Sequence, residues 1–103
     1  MTYARRTDAN SKEIIAALRK LGAQVYDMQR AAATIPGFPD LLVVIAGQMH
    51  LVEVKTLNGP HTEDQMEFMR KWCGPPIYVL RTVVDVESFV NRMRTRAFTE
   101  WST

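Results

Sequence analysis

Residues 39–55 read PDLLVVIAGQMHLVEVK, and this stretch decides the fold. Residues 41–45 form an apolar run that is rich in β-branched side chains, and residues 49–54 form a second run. The segment Ala46-Gly47-Gln48 between them has the composition of a tight turn. The pattern therefore predicts a β-hairpin whose two strands are largely buried.

Three ionic side chains lie at the open end of this hairpin. Asp40 stands at the start of the first strand, and Glu53 and Lys55 end the second. Because side chains alternate between the faces of a strand, Glu53 and Lys55 project together while Val54 points the other way. A two-residue turn at positions 47–48 would place Asp40 opposite Lys55 and on the same face. A slip of one residue would remove Asp40 from the group.

Ionic groups are expensive to bury without a reason, and a divalent cation would supply one. The carboxylates of Asp40 and Glu53 and the carbonyl of Val54 are hard oxygen ligands, few enough that Mg²⁺ would keep several waters or bind phosphate oxygens. Such an ion favours phosphodiester hydrolysis, in which Lys55 would add positive charge or help to activate the water. The alternative is that Glu53 and Lys55 face solvent on an edge strand and Asp40 only ends a turn.

The segments before the hairpin predict one helix and one strand. The helix begins at a cluster of N-cap candidates, has an apolar stripe at helical spacing, and ends at Gly22. The N-cap candidates are Asp8, Asn10 and Ser11. Residues 24–28 predict a short strand, and residues 30–39 predict a loop that ends at Asp40.

The segments after the hairpin predict two helices and one strand. The first of these helices begins at Thr62, is expected to face the core with Met66, Met69 and Trp72, and stops before a Gly-Pro-Pro run. A last strand follows over residues 77–80. The final helix covers 84–93, and the residues expected to face the core are Val86, Phe89, Val90 and Met93.

This order of elements is helix, strand, strand, strand, helix, strand, with a C-terminal helix, which predicts an α/β fold with a mixed sheet flanked by helices. The chain has 103 residues, of which 47% are hydrophobic, and this is enough for one core. We therefore expect a single domain over residues 1–103, with a core from about 8 to 93 and a frayed tail over 94–103.

Composition also limits the compartment and the partners. The formal net charge is only +2, so charge by itself does not indicate a nucleic-acid partner. The apolar runs are far shorter than the ~20 residues of a membrane span. Cys73 is the single cysteine, so no intrachain disulfide can form, and no apolar secretory core follows Met1. The expected location is the cytoplasm of a bacterial or phage-infected cell.

Asp40 followed by Glu-x-Lys, after a helix that carries Glu13, resembles the PD-(D/E)xK nuclease superfamily. The chain is most similar to VRR-NUC domains, particularly the small stand-alone kind of phages and bacteria, from about residue 8 to about residue 90. The similar stretches are EIIAALR (13–19), GFPDLLV (37–43), LVEVK (51–55) and TEDQ (62–65) before Trp72. The resemblance implies a restriction-endonuclease-like core.

The resemblance also implies roles for individual residues. The implied metal ligands are Asp40, Glu53 and the carbonyl of Val54, with Lys55 as the catalytic lysine. Glu13 would reach the metal directly or through water, and Gln65 would lie near the scissile phosphate. A local alternative exists for both, because Asn10 with Glu13 and Thr62 with Gln65 have the spacing of helix capping boxes.

The implied activity is a Mg²⁺- or Mn²⁺-dependent DNA endonuclease that hydrolyses phosphodiester bonds, with no nucleotide cofactor and no membrane partner. Branched DNA such as a four-way (Holliday) junction is the expected substrate, and a homodimer is the expected assembly, because a small monomer has little surface to hold such DNA. Candidate phosphate contacts are Arg5, Arg6, Arg19, Lys20 and Arg30. The alternatives are a catalytically inert nuclease-fold module that binds DNA or protein, and an α/β scaffold whose acids only cap turns.

Three residues with reactive side chains are left out of the predicted site. His50 and His61 lack the spacing of a zinc pair and are expected to be ordinary surface or loop residues. Cys73 has no evident general base nearby in the sequence and is expected to be a buried structural thiol.

Overall fold

The chain alternates helices and strands in this computed structural model, which describes the backbone of residues 3–102 and the side chains of residues 10–98. The elements in chain order are α1 (Tyr3–Lys20), β1 (Gln24–Asp27), α2 (Gln29–Thr34), β2 (Leu41–Ile45), β3 (Gln48–Val54), α3 (Glu63–Lys71), β4 (Tyr78–Leu80) and α4 (Val83–Ser102). The predicted order of elements is confirmed, with α2 as an addition. Among the described residues, no helix is both long enough and apolar enough to cross a membrane.

A mixed four-stranded sheet in the order β1-β2-β3-β4 forms the centre of the fold. The pairs β1–β2 and β2–β3 are antiparallel, and β3–β4 is parallel. A parallel pair needs a long crossover connection, and α3 lies in that connection. The α/β fold with a mixed sheet flanked by helices is therefore confirmed, and it is consistent with a restriction-endonuclease-like core.

The hydrophobic core lies on one face of this sheet, under α1 and α4. Strand β2 alternates, so Leu41, Val43 and Ile45 are buried while Leu42 and Val44 between them are only half-buried. From the helices, the buried side chains are Ile14, Leu18, Val86, Phe89, Val90 and Met93. The four residues of the last helix that the sequence predicts to face the core are all among them.

Helix boundaries differ from the predicted ones in three places. Helix α1 begins at Tyr3, so Asn10 lies inside the helix and does not cap it. Helix α2 replaces part of the predicted loop over 30–39, because its three alanines are the best helix formers. Helix α4 continues past Met93 to Ser102, and the Arg94 side chain in this added part donates to the carbonyl of Leu21.

Three predictions about burial are wrong. Helix α3 contributes no buried residue to the core, and Met66 is 53% exposed. Cys73 is exposed, since it follows the end of this peripheral helix. His50 is only 5% exposed, because its position on β3 faces the core, where its ring packs against Tyr78 at 5.1 Å and Phe89 at 6.4 Å.

The hairpin turn lies one residue earlier than predicted. Ile45 pairs with Gln48, so the turn residues are Ala46 and Gly47, and the register shifts by two residues from the predicted one. An even shift leaves every side chain on its predicted face. It does change the partner of Asp40, which now continues the ladder opposite Glu53 and not opposite Lys55.

Both residues of the hairpin turn have a positive φ angle. Ala46 has φ 55° and Gly47 has φ 73°, and two left-handed residues in a two-residue hairpin loop are typical of a type I′ turn. Because alanine pays a steric penalty at positive φ, we expect Ala46→Asn to stabilise the protein by about 0.5–1 kcal/mol in urea unfolding. Ala46→Val, which is β-branched, should destabilise it, and equal midpoints for the two variants would contradict this turn geometry.

Candidate active site

Asp40 and Glu53 meet at the open end of the β2–β3 hairpin. The Val54 backbone N–H donates to Oδ2 of Asp40 at 2.8 Å, and the Asp40 backbone N–H donates to Oε1 of Glu53 at 3.1 Å. Each carboxylate thus accepts a hydrogen bond from the other strand. These bonds position two acidic side chains next to each other on the face of the sheet that α1 and α4 do not cover.

Glu53 is 2% exposed, which makes it one of the most deeply buried side chains in the described part of the chain. Its pKa is raised to about 8, first by burial, then by the negative charge of Asp40 and by a side-chain hydrogen bond with Asp40, while Lys55 opposes the shift. Burial next to Asp40 therefore favours the protonated form of Glu53 near neutral pH.

This pair meets the chemical requirement of a divalent cation site. A divalent cation favours the ionised form of adjacent carboxylates, and carboxylate oxygens are the ligands that Mg²⁺ and Mn²⁺ prefer. The carbonyl of Val54 is the third predicted ligand, and the Val54 side chain anchors it from the core side. Among the described residues, no group of three or more His, Cys, Asp and Glu side chains gathers around one point, so the protein would supply few ligands and waters or substrate the rest.

Lys55 is held by three different elements. Its backbone N–H donates to the carbonyl of Leu80 on β4 at 3.1 Å, and its own carbonyl accepts from Nδ2 of Asn10 on α1 at 2.7 Å. Its Nζ donates to Oε1 of Gln65 on α3 at 2.5 Å. The lysine lies on the same face as Asp40 and Glu53, as the alternation predicts.

Gln65 takes part both in the helix cap and in the lysine contact. The Thr62 backbone N–H donates to Oε1 of Gln65 at 2.8 Å, and the Gln65 backbone N–H donates to Oγ1 of Thr62 at 3.1 Å, which completes a capping box. The same Oε1 accepts from Nζ of Lys55. The two interpretations of Gln65 are therefore compatible, because the cap holds the oxygen that the lysine contacts.

Gly37 lets the loop before Asp40 approach the first turn of α3. Its φ is +82°, and a Cβ at this position would lie 2.1 Å from the carbonyl oxygen of Asp64. Next to it, the rings of Phe38 and Phe68 pack edge to face with centroids 5.4 Å apart. The loop that carries Asp40 and the helix that carries Gln65 are thereby fixed to each other.

Glu13 is not brought into this cluster. It lies on the exposed surface of α1, and no hydrogen bond to the acids or to Lys55 is formed by it within the described part of the chain. Its capping-box alternative is wrong, because the helix starts at Tyr3 and Asn10 instead bonds Lys55. A role of Glu13 at the metal stays a prediction.

The predicted phosphate contacts are scattered. Arg19 donates to the carbonyl of Val25 at 3.0 Å, so part of its guanidinium is engaged. Lys20 and Arg30 are exposed at the end of α1 and on α2. The side chains of Arg5 and Arg6 lie outside the described residues.

Sequence reasoning missed His61 and Arg81, which border Lys55. Burial and the positive charges of Lys55 and Arg81 lower the pKa of His61, and a hydrogen bond with Gln65 opposes the shift. Arg81 donates from Nη1 to the carbonyls of Thr56 and Gly59, at 2.7 Å each, and closes the loop after Lys55. The only sequence signal was the position of His61 next to the cap residue Thr62.

Comparison with known proteins gives one family. The family model described as VRR-NUC domain matches residues 2–84 of the chain, which include the hairpin, Lys55 and the whole of α3. No curated protein and no solved structure matches the chain.

The raised pKa of Glu53 predicts how stability depends on pH. Its folded-state pKa of about 8 exceeds the ordinary glutamate value of 4.5, so this group stabilises the fold most below pH 4.5 and the contribution is lost as pH rises through 8. Glu53→Gln keeps an Oε1 that can accept from the Asp40 backbone N–H and removes the titrating carboxyl group. In EDTA, the melting temperature of the variant should therefore exceed that of the wild type by on the order of 10 °C near pH 8 and by much less near pH 5. Parallel melting curves against pH would contradict this assignment.

The close approach at Gly37 predicts a specific loss. Gly37→Ala should lower the free energy of unfolding by about 2 kcal/mol or more, because the methyl group would overlap the backbone of Asp64. The matched control is Gly47→Ala, where φ is +73° but nothing lies within 4 Å of the added Cβ. It should lose only about 1 kcal/mol in urea unfolding. Equal losses would mean that the loop and α3 are not in contact.

Proposed function

The chain belongs to the VRR-NUC domain family, and we propose that it is a divalent-metal-dependent DNA endonuclease whose site consists of Asp40, Glu53 and Lys55. Membership in this family implies a nuclease-type action on DNA. The observation that carries the proposal is the buried pairing of Asp40 with Glu53 beside a lysine that is fixed through its Nζ. If Lys55 only formed a structural ion pair, one carboxylate would be enough. Its Nζ would then not need the additional contact with Gln65.

Asp40, Glu53 and the carbonyl of Val54 would hold Mg²⁺ or Mn²⁺. When bound, the ion neutralises charge on the phosphodiester and orients the attacking water. In the reaction, the water oxygen would form a bond to phosphorus and release a proton to solvent, and the bond between phosphorus and the 3′ oxygen would break. The 3′ oxygen would take up a proton from solvent and leave as a hydroxyl, and the other product would carry a 5′-phosphate.

Lys55 supplies the fixed positive charge of the site. An ammonium group has three donors, of which one contacts Gln65, so two remain for the water and a phosphate oxygen. Gln65 acts as a positioning residue, since its Oε1 is held by the Thr62 N–H and keeps Nζ in place. Because this arrangement exists before substrate binds, little reorganisation is needed in the reaction.

For the substrate and the assembly we propose branched DNA and a homodimer. A two-fold dimer would bring two sites to symmetry-related strands of a four-way junction. Lys20 and Arg30 are exposed cations that fit phosphate contacts, which would make binding depend on salt. Glu13 remains a candidate ligand that acts through water.

The experiment is cleavage of an end-labelled four-way junction, a flap, a plain duplex and a single strand, with Mg²⁺, Mn²⁺ or EDTA. We expect cuts that require the metal and a loss on the order of 10²–10³-fold in rate for Lys55→Ala, because one preorganised charge at the reacting phosphate is removed. Lys12→Ala is the matched control, since Lys12 is exposed on α1. Symmetric paired nicks in the junction would support the dimer.

Metal binding separates this enzyme from the inert module. Mn²⁺ should raise the melting temperature of the wild type, and Asp40→Asn should abolish the rise. Wild-type protein that binds DNA but neither cuts it nor responds to Mn²⁺ would favour the catalytically inert DNA- or protein-binding module.

A further inference from the structure

A cavity of about 310 Å³ opens beside the site and takes no part in the chemistry above. It is lined by Pro36, Glu67, Phe68, Lys71 and Trp72. The rings of Phe68 and Trp72 are stacked, with centroids 5.5 Å apart and an angle of 22° between their planes. Its volume lies at the lower end of the ~300–1,000 Å³ of small-ligand pockets, so it suits one aromatic ring system.

The aromatic pair is held in place before any ligand arrives. Nε1 of Trp72 donates to the carbonyl of Pro75 at 2.6 Å. The backbone at Gly74 packs on the indole so closely that a Cβ there would lie 2.5 Å from Cζ2 of Trp72. Phe68 is fixed by its edge contact with Phe38. A rigid ring pair loses little conformational entropy when a planar group stacks on it.

The cavity and the candidate active site are connected through α3 and through the loop before Asp40. Gln65 and Phe68 are three residues apart on α3, so their side chains are neighbours on the helix surface, and Trp72 is the C-cap residue directly after the helix. From the other side, Phe38 is two residues before Asp40. A nucleotide next to the scissile phosphate would be within reach of the cavity.

The charges around the cavity suit a nucleotide. The Glu67 carboxylate contacts Nη2 of Arg70 at 2.7 Å and Nζ of Lys71 at 3.0 Å, so it is neutralised and one positive charge is left over. Both cations are exposed and can turn towards a phosphate. Stacked aromatic rings with an adjacent cation are the arrangement by which proteins bind unpaired bases.

We propose that this cavity binds an unpaired nucleobase of the DNA substrate, stacked against Phe68 and Trp72, next to the phosphate that is cut. This inference rests on the proposed nuclease function and adds the substrate feature that the site selects. A flap or an opened junction offers such a base at the branch point, whereas a duplex must first unstack one at a cost in free energy. The cavity would therefore favour branched over fully paired DNA.

The test is fluorescence anisotropy in EDTA, so that binding is measured without cleavage. One DNA is a duplex with a single-stranded arm, and the other is a fully paired duplex of the same length. Phe68→Ala and Trp72→Leu should each bind the arm-bearing DNA on the order of 10-fold more weakly and the paired duplex as well as the wild type does. Met66→Ala is the matched control, because Met66 is 53% exposed on the same helix and does not line the cavity.

A second measurement does not depend on the folding of these variants. A single abasic position is moved along the arm, and wild-type affinity should fall at one position next to the branch point. Trp72→Phe, which keeps a stacking ring, should retain most of the binding. An abasic scan without such a position, or equal losses on both DNAs, would overturn the proposal.

Two further outcomes separate the base-binding proposal from a dimer interface at the cavity and from the proposed nuclease function. If Phe68→Ala converts a wild-type dimer into a monomer in size-exclusion chromatography while arm binding is unchanged, the cavity seats a second copy of the chain and the proposal is wrong. If the wild type cuts no DNA but the abasic scan still identifies one position, the base-binding cavity holds and the proposed nuclease function fails.

Discussion

A buried glutamate with a strongly raised pKa lies against a second carboxylate at the open end of the central hairpin, and the rest of the candidate site is arranged around this pair. Glu53 is almost completely buried, and Asp40 lies opposite it across the β2–β3 ladder. Burying one such charge is unfavourable, and placing a second beside it is more so. The fold maintains this pair with reciprocal backbone hydrogen bonds, which orient the acids without neutralising them.

The neighbouring elements hold Lys55 at a fixed position beside this pair. Helix α1 reaches the lysine backbone through Asn10, β4 through the carbonyl of Leu80, and α3 reaches its ammonium through Gln65. Helix α3 is itself fixed by Gly37, where the loop backbone passes against its first turn. The helix contributes nothing buried to the hydrophobic core, so its position depends on these polar and close-packed contacts. This explains why a peripheral helix can carry both a site residue and a base-sized cavity.

The VRR-NUC family and the nuclease-type action on DNA agree with what this geometry can do. A small site with two protein carboxylates leaves most of the coordination sphere of a cation to waters and substrate, and phosphodiester chemistry uses such open sites. The aromatic cavity lies along the same helix as Gln65. Chemistry and the selection of DNA shape would then share one short helix, although different side chains serve each.

The sequence by itself determined the parts of this protein that depend on local periodicity: the hairpin, the shared face of Glu53 and Lys55, the Thr62–Gln65 cap and the apolar stripe of α4. Alternation in a strand is so strict that Asp40 kept its face although the turn moved by one residue and the register by two. Only the tertiary structure decided that His50 is buried, that Cys73 is exposed, and that His61 borders Lys55. These outcomes depend on how segments far apart in the chain pack together, and no local pattern encodes that packing.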